Sequence, residues 1–183
     1  DELQAEGLIQ HQLNSHGLSH PGIQRLGLAR IGLGLLGYLS ENAVGASTLR
    51  DALKPVLRWE SQVCQIRSVK DGESIGYNRS FTATRNMVIG VVPVGYGDGF
   101  PARPLPGRTF RIGVKRDDGS WHYAPVVGLV NMDQITIDLT DFEATAEVGH
   151  PVSIIGDQPL APNSPGVIAD CCGTIIYEIL CRL

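Results

Sequence analysis

Residues 86–100 read NMVIGVVPVGYGDGF, and the way they fold decides the architecture around them. From Met87 to Val94 the run is apolar, interrupted only by Gly90 and Pro93, and then glycine alternates with Tyr96 and Asp98 before Phe100. An apolar run this short, closed by a glycine turn at Gly97 and Gly99, reads as a strand buried in a core. Asp98 between those glycines suits an Asx-type turn.

The same texture extends outward on both sides. LRWESQVCQIRSVK (57–70) alternates well enough for one long strand, and Asp71-Gly72 turns it back. RTFRIGVK (108–115) and WHYAPVVGLV (121–130), joined through Asp118-Gly119, read as a hairpin. QITIDL (134–139) and PVSIIG (151–156) are further short strands. There is no fixed-period repeat. Residues from about 56 to about 160 therefore read as an antiparallel β domain, with turn signals roughly every 8 to 15 residues.

Both ends differ from this middle. LARIGLGLL (28–36) is apolar apart from Arg30 and suits a strand buried on both faces, as in a parallel α/β sheet or barrel. NAVGASTLRDALKPV (42–56) reads as a loop with weak helical content, closed by Pro55. At the C-terminus, Ile175, Ile176, Ile179 and Leu180 form a helical stripe, with Gly173-Thr174 near its start. A helix N-terminus there would offer unpaired N–H groups to an anion such as phosphate.

The bulk numbers exclude several classes. With 183 residues the chain can bury roughly 70% of its unfolded surface, so a core needs no staples. A net charge of −4 argues against nucleic acid as the main partner. No apolar run approaches the ~18 residues of a membrane span. The chain opens acidic (Asp1, Glu2, Glu6), without a basic-then-apolar leader, which places the expectation in the cytoplasm. Of four cysteines, Cys171 and Cys172 are adjacent, which suits neither a disulfide framework nor a metal site. Buried reduced thiols are expected, with Cys181 a small core residue. His11, His16 and His20 fit no usual zinc spacing, so no metal is expected.

GESIGYNRSFTA (72–83) poses the functional question. On a hairpin strand, Tyr77 between Gly76 and Asn78 is either a strand tyrosine with its ring end in water, or a proton-transfer group. Arg79, two residues on, would share its face.

Six segments in order narrow the choice: LARIGLGLLG, LKPVLRWESQVCQI, GESIGYNRSFTA, VVPVGYGDGFP, PVVGLVNMDQITIDLT and GTIIYEILCRL. Together they resemble the C-terminal half of bacterial alanine racemase, across essentially the whole chain. The resemblance implies a mainly β chain: an antiparallel β domain, residues 51–183, preceded by the final βα part of a (β/α)8 barrel, residues 1–50, and ending in a helix. It implies pyridoxal 5'-phosphate as cofactor, and a head-to-tail homodimer with shared sites making D-alanine for peptidoglycan. The family's cofactor lysine lies in a KANAYGHG-like segment, and none of Lys54, Lys70 and Lys115 has that context.

The same resemblance assigns roles. Tyr77 matches the base opposite the lysine; a tyrosine titrates near ~10 and needs a cationic or hydrogen-bonding neighbour to act at neutral pH. Arg30 matches the arginine facing the pyridine nitrogen, and the other reading of it is an ion-paired strand-end residue. Ser15, Gly32, Leu33 and Tyr177 match the phosphate contacts, although Tyr177 also fits a plain member of the helical stripe. Tyr96 matches the mouth of the substrate passage, and Met132, followed by Asp133, the substrate carboxylate contact. Two positions depart: Leu129 stands where the family usually has arginine, and Asn131 where it has a small residue. They keep a serine or broad-spectrum racemase open. The absent lysine context keeps open a non-catalytic β domain that pairs with a separate barrel chain.

Overall fold

The computed structural model describes residues 9, 11–23, 27–39, 47–142 and 146–183. The chain divides into two compact units, residues 1–56 and 57–183.

In the first unit, β1 (His11–Asn14) and β2 (Leu28–Arg30) pair in parallel, with Asn14 opposite Arg30. The apolar stretch after Ala29 does not continue as a strand. It bends at Gly32 into a 3-10 turn, Leu33–Leu36, closed by Gly37 in the left-handed region. The expected nine-residue strand is thus three residues long, and those three are exposed. Leu33, inside the turn, is what the run buries. Helix α1 (Ser47–Ala52) supplies the weak helical content expected before Pro55, while residues 42–46 of that segment lie outside the described residues.

The second unit is the expected antiparallel β structure. It contains β3 (Trp59–Gln62), β4 (Gln65–Val69), β5 (Ser74–Ile75), β6 (Phe81–Thr82), β7 (Met87–Val92), β8 (Arg111–Lys115), β9 (Trp121–Pro125), β10 (Ile135–Asp138) and β11 (Pro151–Ile155). One sheet runs β10-β7-β4, a second β3-β11-β8-β9, and β5-β6 form a small hairpin. The single long strand expected over 57–70 is two strands in different sheets. At the switch, Val63 N–H donates to His150 O and Cys64 N–H to Val91 O, so the backbone changes partner without leaving either group unsatisfied.

β7 shows why residues 86–100 are decisive. Met87 and Ile89 point into a cluster with Val69, Ile75, Ala83 and Val127, beneath the β5-β6 hairpin. Val92, on the opposite side of the pleat, joins the main core with Phe100, Phe110, Ile112, Ile135 and Ile154. A strand that feeds two cores must be apolar on both faces, which is the run that the sequence displays. Full burial of each such side chain is worth about 1.5–3 kcal/mol.

The C-terminus holds two helices where one was expected. α2 (Pro165–Cys172) has Ser164 as N-cap, its hydroxyl accepting from Val167 N–H, and ends at Gly173 in the left-handed region. α3 (Ile176–Leu180) has only five residues, too short for the anion-binding terminus expected of it. Ile179 and Leu180 are buried as the stripe requires, whereas Ile175 is exposed. Cys171 is buried, but Cys181 is exposed, as is Cys64, so the core role expected of Cys181 does not hold. Among the described residues no helix is long and apolar enough to cross a membrane.

Candidate active site

In the first unit, the parallel pair brings Ser15, at the end of β1, against the turn that follows β2. Ser15 is 3% exposed, and its Oγ accepts the N–H of Gly32 at 3.1 Å and of Gly34 at 3.0 Å. A hydroxyl has two acceptor positions and one donor, so both acceptor positions are filled and only the O–H remains to bind something else. Leu33 opens the 3-10 turn, where the first N–H groups lack an intrahelical acceptor. Among the described residues of the same unit, no atom lies within 4 Å of a Cβ built on Gly32. A hydroxyl obliged to donate, a turn N-terminus and open space beside a glycine make a donor set suited to a phosphate.

Arg30, at the end of β2, donates from Nη1 to His11 Nδ1 across the parallel pair. His11 had entered only as a weak metal candidate. Its signal was position: a residue near the start of β1 pairs with the strand that ends in Arg30.

In the second unit, three loops come together. The turn at Gly95–Gly99 docks on the loop before β10: Tyr96 N–H donates to Asn131 O at 2.9 Å and Gly97 N–H to Met132 O at 2.8 Å. Gly95 is required there, since a Cβ would lie 2.2 Å from Asn131 O. Asp98 holds the turn by accepting Gly95 N–H at 2.9 Å, the role expected of it. The same loop reaches the hairpin tip, where a Cβ on Gly76 would lie 3.7 Å from Leu129 N. The Tyr96 and Met132 loops are therefore joined by backbone hydrogen bonds, and the Tyr77 hairpin tip runs close to Gly128 and Leu129. Tyr77, Tyr96 and Met132 are all exposed, at 71%, 49% and 60%. Asp133 is exposed and lines an open groove with Asp98, Cys64 and Gln134.

One local expectation changes. Tyr77 is not on a strand: Tyr77–Arg79 is a 3-10 turn, with Asn78 and Arg79 at φ 58° and 52°. Arg79 consequently does not share a strand face with Tyr77. Tyr177 lies on α3, partly exposed, next to Glu178. The Thr174 hydroxyl and then the Arg182 guanidinium hold the Glu178 carboxyl below the usual carboxylate range, and both hydrogen bonds tie down that short helix. Gly99 packs on Arg182 O, so the segment after α3 abuts the Tyr96 turn.

The fold and these loops define a class: an antiparallel β domain that presents tyrosines and a methionine on joined loops, preceded by a parallel unit with a phosphate-type donor set. The sequence profile described as alanine racemase, C-terminal domain, matches residues 56–183, and the chain belongs to the alanine racemase family. It is 38% identical over 146 residues to the alanine racemase of Psychrobacter sp. (strain PRwf-1), covering 80% of this chain and 38% of that protein. The solved alanine racemase of Clostridium difficile 630 superimposes with a TM-score of 0.80 at 29% identity, covering 96% of this chain and 42% of that one. The Bartonella henselae alanine racemase, solved with covalently bound pyridoxal phosphate, matches with a TM-score of 0.68 at 29% identity, covering 86% of this chain and 40% of that one. The chain thus spans well under half the length of these relatives.

Proposed function

We propose that this chain is the C-terminal portion of a pyridoxal 5'-phosphate-dependent alanine racemase, and that Tyr77 is one of its two proton-transfer groups. The observation that carries the proposal is the bonding of the Tyr96 loop to the Met132 loop, with the Tyr77 hairpin tip close to Gly128 and Leu129 of the latter, within a domain of the alanine racemase family.

Racemisation removes the α-proton from one face of an amino acid and returns it on the other. When bound, the cofactor supplies delocalisation of the charge left at Cα. The chain's own groups do the rest. Ser15 Oγ–H, the N–H groups of Gly32 and Leu33, and the Tyr177 hydroxyl would hold the phosphate. Arg30, a donor-only cation steadied by His11, would donate to the pyridine nitrogen and so favour its unprotonated form. Tyr77 gives or takes the proton at Cα on one face. A lysine outside this chain serves the other face. The Met132 backbone N–H receives the substrate carboxylate, Asp133 follows at the groove, and Tyr96 narrows the passage.

Tyr77, Tyr96 and Met132 are large groups exposed on one chain, which supports a head-to-tail homodimer whose sites each draw on two chains. The product, D-alanine, would be made in the cytoplasm and supplied to peptidoglycan. Leu129, half-buried beside the Tyr77 turn, favours a second reading, a serine or broad-spectrum racemase, because an apolar side chain replaces a cation there.

The test is complementation. The chain is combined with a barrel half bearing the cofactor lysine, pyridoxal phosphate is added, and D-alanine formation from L-alanine is followed beside a Tyr77→Phe variant. Activity that depends on Tyr77 is expected, with none from this chain alone. A complex that forms but stays inactive would make the β domain a non-catalytic pairing module.

A further inference from the structure

Two features of the Tyr77 hairpin stand out. Among the described residues, Asn78 and Arg79 are the non-glycine residues at positive φ, and they are adjacent. Both follow Tyr77 directly. Left-handed backbone is costly for a residue with a Cβ, and it normally occurs as single residues rather than pairs. Such outliers persist only where the surroundings over-determine them.

The surroundings here do so. The hairpin is pinned at its base by pairing of Ile75 with Phe81 and of Ser74 with Thr82. Ile75 is buried with Val69, Met87, Ile89 and Val127, and Phe81 packs on the same cluster. Behind the tip, Gly76 lies over Gly128 and Leu129. Five residues, 76–80, must therefore close a loop whose ends cannot move. Closure is achieved by Gly76 at φ 78°, the left-handed pair, and a bond from Ser80 N–H to Tyr77 O at 3.2 Å. If Asn78 were forced into the right-handed region, the turn would change hand. With both ends fixed, Tyr77 is the residue that would swing.

We infer that Asn78 is a positioning residue for the Tyr77 phenol: its left-handed backbone sets where the ring leaves the hairpin. Asparagine is among the non-glycine residues best suited to that conformation, whereas a β-branched residue is excluded from it. The inference rests on the assignment of Tyr77 as a proton-transfer group, and the experiment separates the two.

In the racemase assembled with its lysine-bearing half, solvent deuterium uptake at Cα is measured separately for L-alanine and D-alanine. Each face has its own base, so loss of one base slows uptake from one enantiomer. Asn78→Gly is expected to leave both rates within about twofold, because glycine enters the left-handed region freely. Asn78→Val is expected to slow one enantiomer about a hundredfold, the scale of an ångström misplacement, and to spare the other. Asn78→Ala, without β-branching, falls between them and stands in should the valine variant fail to fold. Tyr77→Phe should slow the same enantiomer. In the cofactor-free protein, 13C-labelled Tyr77 ring resonances should shift in Asn78→Val or Asn78→Ala and stay in Asn78→Gly, with Tyr123 unmoved. Unchanged uptake and resonances in the valine and alanine variants, or an equal loss for both enantiomers, would overturn the role of Asn78 while leaving Tyr77 in place. Native uptake by Tyr77→Phe would overturn the assignment of Tyr77 and the inference with it.

Discussion

The Asn131 carbonyl oxygen accepts the Tyr96 backbone N–H at 2.9 Å. That bond, and the neighbouring one from Gly97 to Met132, sets the distance between two loops by backbone alone. It works because Gly95 has no side chain; a Cβ there would meet Asn131 O at 2.2 Å and the Met132 carbonyl carbon at 2.4 Å.

Gly95→Ala should therefore destabilise the protein by about 1–3 kcal/mol or more, the cost of overpacking against backbone that cannot step aside. Gly166→Ala is the control. Gly166 lies in α2 and, among the described residues, nothing comes within 4 Å of its added Cβ, so the change should stabilise by about 0.4–1 kcal/mol. Urea unfolding midpoints of the two variants, moving in opposite directions, would check both.

Ser15 carries a prediction about the ligand. With its acceptor positions filled by Gly32 and Gly34, its free capacity is a donor. In the assembled protein, Ser15→Ala should weaken pyridoxal phosphate binding by about tenfold to a hundredfold, the worth of one hydrogen bond to a charged group. Binding of pyridoxal, which lacks the phosphate, should change much less. Equal losses for both, read by absorbance titration, would mean that Ser15 only supports the turn.

The strands were legible wherever a residue's partner lies nearby in sequence or its face is uniform. β8 and β9 follow from Asp118-Gly119, and β7 follows from its two-sided apolar run. Features set by distant pairing were not legible. The switch at Val63–Cys64 depends on His150 and Val91, and the bend at Gly32 depends on the Ser15 hydroxyl. The Tyr77 turn was hidden for a further reason: positive φ at Asn78 and Arg79 is a consequence of loop closure, and propensity argues against it at Arg79. The motifs singled out Tyr77, Tyr96 and Met132, and the structure sets all three on exposed loops of the second unit. His11 was missed because its partner Arg30 belongs to the next strand.

Arg85 and Asp141 give a pH signature. The guanidinium donates to both carboxylate oxygens, at 3.1 Å and 2.9 Å, with Asp138 at 3.6 Å. The Arg85 hydrogen bond holds the Asp141 carboxyl below its usual 3.8. A depressed carboxyl stabilises the fold above the unfolded-state value, and that stabilisation disappears as pH falls through the folded-state value. Asp141→Asn should thus be slightly less stable than the native protein near neutrality, an exposed pair being worth little. The difference should vanish between about pH 5 and pH 2. A gap in urea midpoint that stays constant through that window would assign the effect to packing instead of charge.

The cysteines report on α2. Cys171 is buried, its thiol faces Thr109 O at 3.9 Å, and burial pushes its pKa above the usual thiol value. Cys64 and Cys181 are exposed. Because the thiolate is the reactive form, alkylation at neutral pH should modify Cys181 and Cys64 well before Cys171. Protection of Cys171 should then end only in the urea range where the whole β domain unfolds, since α2 contributes Ile168 and Ala169 to the main core. Peptide mass spectrometry along a urea series distinguishes the cases. Labelling of Cys171 in step with global unfolding makes α2 part of the core's cooperative unit. Labelling far below the midpoint would make α2 a separately opening element, and Ile168 would then be removable at little cost, against the about 2–5 kcal/mol expected for Ile168→Ala in a shared core.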